Sequence, residues 1–164
     1  MDRWPLLVTI AACTAVLVST VAGAAATTTT TYSDSILGVE IYATSTEGVF
    51  TGTASGDLPG AWYAEVDHTP LDPNATITGG YTDVASYLGL VEGDFTGGTV
   101  TLTNPSHRCR NQVYDVEATL GNVGVGGGSG TGSFSGVLTH LREKVFGICV
   151  TYSATIAGTL TVTF

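Results

Sequence analysis

Four basic side chains and two histidines are gathered in two short segments of this sequence: His107-Arg108-Cys109-Arg110, and His140 with Arg142 and Lys144, shortly before Cys149. Guanidinium forks and imidazoles are the groups that hold a carboxylate, a sulfate or an acidic glycan. If Cys109 is bonded to Cys149, their Cα atoms lie within ~7 Å, and the two segments form one positive corner. His107, Arg108, Arg110, His140 and Arg142 are therefore the candidate ligand-binding residues, for a glycan or a small anion. A plainer account has Glu143, Asp115 and Glu117 neutralise these cations as surface pairs worth ~0–1 kcal/mol each.

Catalytic patterns are weaker. Glu65 and Asp67 share one strand face at a separation of ~7 Å, within the range that inverting glycosidases use, but adjacent acids on a strand are more simply a solvated row. There is no G-x-S-x-G elbow for a serine nucleophile. His68, His107 and His140 lack zinc spacing, and the acids form no D-x-D-x-D calcium loop. The run Gly124 to Gly130 lacks the lysine and the strand-to-helix setting of a phosphate cradle. No catalytic residue, metal ligand or cofactor is expected, and an enzyme is the less favoured reading.

The opening residues belong to a different task. Arg3 precedes an apolar run from Trp4 to about Val21, and the small residues Ala22 to Ala26 follow. That order describes a secretory signal peptide over residues 1–26. Its rivals are an uncleaved anchor, since the run is long enough to span a bilayer, and a lipoprotein, since Ile10-Ala11-Ala12-Cys13 resembles a lipobox. Cleavage leaves two of the three cysteines. In an oxidising compartment an even count reads as a disulfide, here Cys109–Cys149. The net charge of −9 argues against nucleic acid and anionic membrane surfaces as partners. It suits a secreted, extracellular or cell-surface protein with no membrane association once the leader is gone; self-association stays open.

The elements that must position the corner are strands. Residues 27–34 read as a Thr-rich extended leader and 35–164 as a single all-β domain. Helical spacing never persists, and β-branched residues, aromatics and glycine dominate. The expected strands are Ile36–Tyr42, Gly48–Ala54, Ala61–His68, Thr76–Val84, Asp94–Thr103, Gln112–Val123, Gly132–Leu141 and Phe146–Phe164. In the last, Val150, Tyr152, Ala154, Ile156, Leu160, Val162 and Phe164 alternate with polar residues, which predicts one dry face. Trp62, Ala64 and Val66 alternate with Tyr63, Glu65 and Asp67 in the same way, as do Tyr114, Val116, Ala118 and Leu120 with Asp115, Glu117 and Thr119. Three segments share G-x-F-[ST]-G, centred on Phe50, Phe95 and Phe134. A glycine two residues from a ring lets a strand coil tightly or lets a ring lie on bare backbone. An eight-stranded antiparallel barrel is expected, with a β-sandwich as the alternative.

With the repeated G-x-F-[ST]-G strands, the turn Leu58-Pro59-Gly60-Ala61-Trp62 and the cysteine-bearing final strands, the chain resembles small secreted bacterial β-barrel proteins of unassigned function. That resemblance implies export and an all-β fold, and carries no active-site residue. Residues 60–63 are also similar to biotin-binding barrels, but the ligand-binding tryptophans and loop of those proteins are missing. The tail ending in Phe164 resembles the last strand of outer-membrane barrels, yet Gly48–Ala54 and Thr76–Val84 are too short and glycine-rich for lipid-facing rows. The functional expectation is a non-catalytic binding or cell-surface module. The alternatives are a structural or assembly subunit of the cell envelope, and a hydrolase or isomerase whose residues meet only in space.

Overall fold

The computed structural model describes residues 28–104 and 109–164; the expected signal peptide lies outside them, as do His107 and Arg108. Eight strands follow one another: β1 (Thr31–Ala43), β2 (Glu47–Gly56), β3 (Gly60–His68), β4 (Ala75–Ser86), β5 (Gly89–Leu102), β6 (Gln112–Val125), β7 (Gly130–Val145) and β8 (Ile148–Thr163). Each is antiparallel to the next, and β8 returns to β1 to close a barrel. Closure removes the two free edges that a sandwich would leave in each sheet.

Alternation decides which residues go inside. On β3, Trp62 and Ala64 are buried; on β6, Tyr114, Val116, Ala118 and Leu120 are, and their neighbours face outward as expected. All three phenylalanines of the repeated motif point inward and are buried. The glycines beside them serve as bare backbone. A Cβ on Gly136 or Gly158 would sit 2.7 Å from Cζ of Phe134, and one on Gly38 would sit 2.7 Å from Cζ3 of Trp62. The rings therefore lie flat across the strands and form a belt, with Phe50 and Phe134 each centred 6.5 Å from Trp62.

The two ends of the barrel differ. At the lower end Leu58, from the β2–β3 turn, is inserted as a plug and is 1 % exposed. Val84, Val91, Leu120, Val123, Leu160 and Val162 pack the same closed core. The backbone N–H of Leu58 donates to Asp34 Oδ1 at 2.9 Å, and Ser33 N–H donates to Asp57 Oδ2 at 2.9 Å. Within the stretch expected as an extended leader, β1 already begins at Thr31, and Asp34 there is an inward-facing, buried acceptor. Asp34→Ala leaves a buried donor unpaired and is expected to lower unfolding free energy by ~1–3 kcal/mol in urea titrations, with Asp34→Asn costing less. The glycine-rich run also belongs to this lower end. Its N–H groups at Gly126, Gly127 and Gly128 donate to carbonyls of Leu90, Gly124 and Asn122, so they are occupied by the fold.

At the upper end, β7 and β8 project past the barrel as a hairpin. Its turn is Phe146-Gly147, with φ of 48° and 88°, the two-residue form that requires φ above zero at both positions. The dry-face expectation for the tail holds from Ala154 to Val162 and fails ahead of it: Val150 and Tyr152 are exposed. The reason is a bulge. Leu141 pairs with Ser153 but Arg142 pairs with Thr151, so Tyr152 is an extra residue and the alternation changes face. A second bulge makes Ile41 the extra residue on β1, between Glu40, paired with Phe50, and Tyr42, paired with Val49. The β1–β8 ladder stops at Val39–Thr155. Above it, the end of β1 pairs with β2 alone and the start of β8 with β7 alone, which leaves a seam between them.

Candidate functional site

Above the aromatic belt the barrel is hollow. A cavity of about 570 Å³ runs from Phe50, Trp62, Phe95 and Phe134 up to the mouth and to the seam, where Ile41, Tyr42, Tyr152 and Ser153 line it. The wall is aliphatic, from Ala64, Ile77, Val100, Val116, Leu138 and Ile156. A hollow of this size with few polar groups is the usual form of a small-molecule site, and eight strands are enough to enclose one.

Three ionisable side chains other than tyrosine line it among the described residues: Glu40, His68 and His140. Each continues an apolar inward row at a spacing of two. Glu40 follows Ile36 and Gly38, His68 follows Trp62, Ala64 and Val66, and His140 follows Phe134, Gly136 and Leu138. Their placement on β1, β3 and β7 puts a carboxyl and two imidazoles around one mouth.

Surroundings set their charge. Burial raises the Glu40 carboxyl above the ordinary carboxylate range. Burial, with Arg142 and His68 nearby adding to it, lowers the His140 imidazole below its usual value. The His140 ring is centred 5.2 Å from that of buried Tyr114, whose hydroxyl is pushed up by burial and drawn down by Arg142. His68 Nδ1–H donates to the carbonyl of Thr69 at 2.7 Å. That bond leaves Nε2 as the lone-pair nitrogen of its neutral ring.

The basic corner lies next to this mouth. Cys109 and Cys149 form the expected disulfide, with Cα atoms 5.4 Å apart. Lys144 is paired with Cys149, and Arg142 with the cavity-lining Thr151. The backbone N–H of Arg142 donates to Asn111 Oδ1 at 3.1 Å. Its Nε is buried without a hydrogen-bond partner among the described residues. Arg110 is exposed. Of the five candidate residues, His140 lines the cavity, Arg142 stands two positions beyond it, and Arg110 is on the loop that the disulfide ties down; His107 and Arg108 fall outside the described residues. Neither Arg110 nor Arg142 is in the cavity lining.

Glu65 and Asp67 are on the outer face, where Glu65 is paired with Tyr81 and Asp67 with Glu47. Glu117 accepts a hydrogen bond from Ser135 at 2.6 Å, so it is committed to its own sheet. Among the described residues no three histidine, cysteine or carboxylate side chains are grouped so that they could hold a metal ion, Glu40, His68 and His140 included. No helix among them is long and apolar enough to cross a membrane. Comparison with protein-family models, with curated proteins and with solved structures gives no match to this chain.

Sequence reasoning missed Glu40 and His68 as site residues. The signal was present, since a carboxylate two residues beyond Ile36-x-Gly38 falls on the dry face of its strand. It is readable only once that face is known to enclose a hollow.

Proposed function

We propose that this chain is an exported binding barrel that takes a small, largely apolar or aromatic molecule through its upper mouth. The observation that carries this reading is the cavity itself: an aromatic floor, aliphatic walls and only three ionisable groups other than tyrosine among the described residues. Apolar contact area provides the affinity in such a site, and a few placed polar groups provide orientation. A catalytic reading would need a reacting group facing a defined partner. The rim groups are accounted for as ligand-orienting ones, and the basic corner beside the mouth adds a patch where an acidic glycan or anion can approach.

The neutral fluorophore N-phenylnaphthylamine tests the proposal. It is expected to bind with one-to-one stoichiometry and to brighten in the presence of the protein. Leu138→Trp, which puts a larger ring into the wall, should weaken binding by about tenfold or more while the far-ultraviolet spectrum stays that of the barrel. Absence of binding to the wild type, or binding that Leu138→Trp leaves unchanged, overturns it.

A further inference from the structure

The charge of the cavity selects among apolar ligands. Among the described residues its lining contains no lysine or arginine, and its single carboxyl, Glu40, is half-buried beside the aromatic floor. Glu40 is the direct cross-strand partner of Phe50, so the two side chains share the inward face, and Phe50 in turn neighbours Trp62. A carboxylate next to indole and phenyl rings is a recognisable constellation. It offers a cation one full counter-charge and the negative faces of π-systems.

We propose that the ligand carries a protonated amine on its apolar or aromatic body, with the ammonium group seated between Glu40 and the Phe50–Trp62 rings. This rests on the cavity-binding reading and deepens it. It departs from the anion expected from the basic corner, because Arg110, Arg142 and Lys144 stand outside the lining while the carboxylate stands within it.

The pH dependence has a definite sign. The groups facing Glu40 across the cavity are His68 on β3 and His140 on β7, with Tyr42 and Tyr152 at the seam and Arg142 acting through His140. As pH rises, Glu40 ionises and any proton held by the lowered His140 imidazole is lost. Each change makes the cavity more negative and favours a cation. The raised carboxyl also costs stability: the contribution of its neutral form is present below the unfolded value and is lost as pH climbs through the higher folded value. A bound ammonium offsets that loss.

The test is calorimetric titration with three probes that share an indole ring and a short side arm: tryptamine (cationic), ethylindole (neutral) and indolepropionate (anionic). Near pH 8 tryptamine is expected to bind about tenfold or more tightly than ethylindole, with indolepropionate the weakest. Glu40→Gln should bring tryptamine to within about twofold of ethylindole. Should that variant fail to fold, the wild-type pH profile stands in: tryptamine affinity rises from about pH 5 to about pH 8 while ethylindole affinity stays flat. Equal affinities for amine and neutral probe, or preference for the anion, overturn the proposal. If N-phenylnaphthylamine binds while the indole series shows no charge preference, this inference alone fails; if that fluorophore does not bind either, the cavity reading fails with it.

Discussion

Trp62→Ala is expected to lower the unfolding free energy by ~3–5 kcal/mol, measured by urea or thermal denaturation. The indole is 3 % exposed, although one side of it borders the cavity. It lies against Gly38, is stacked with Phe134 at 6.5 Å, and donates through Nε1 to Thr82 Oγ1 at 2.8 Å. Thr82 Oγ1 passes that bond on to the carbonyl of Tyr63, also at 2.8 Å. Removing the ring leaves a void, an under-used hydroxyl and Gly38 with no ring across it. The substitution also deletes the cavity floor, so N-phenylnaphthylamine binding should change together with stability. A loss below about 1 kcal/mol would mean that the belt is not the centre of the core.

The double substitution Cys109→Ser with Cys149→Ser is the second large effect. The 40-residue separation corresponds to about 4 kcal/mol of loop closure removed from the unfolded chain. The melting temperature should fall by roughly 10 °C for a domain of this size, and treating the wild type with a reductant should reproduce the shift. Locally, the bridge joins the β5–β6 loop to the projecting β7–β8 hairpin, a junction otherwise carried by the bond from Arg142 N–H to Asn111. The hairpin tip should therefore gain hydrogen exchange well before the barrel does. Identical melting with and without reductant would refute the bridge's contribution.

The alternation of apolar and polar residues made the barrel legible. Trp62-x-Ala64-x-Val66 and Tyr114-x-Val116-x-Ala118-x-Leu120 have only one way to bury a face, and eight such strands with short turns are close to a closed sheet. The motif glycines could be read as well, because a ring needs bare backbone to lie flat. Two things were hidden. Bulges at Ile41 and Tyr152 insert one residue each without a glycine or proline to mark them, so the faces of Val150 and Tyr152 were assigned to the wrong side. The cavity was hidden for a deeper reason: Phe50, Val116, Leu138 and Ile156 look the same in a sequence whether their rows meet at the centre or stop short of it. What separates the two cases is total side-chain volume on the inward rows. Here Gly48, Ala64 and Ala118 leave the upper half underfilled, while Leu58 fills the lower half.

The early end of the β1–β8 ladder gives the cavity a slot in its side as well as an opening at its top. A guest entering there breaks no backbone hydrogen bond, because Glu40–Ala43 and Ile148–Ala154 have none between them to lose. Its length is not limited by the depth of the hollow either. On the binding reading proposed above, a long molecule would seat its head on the aromatic floor and trail its remainder out between the strands, so the pocket would measure one end of its guest and be indifferent to the other.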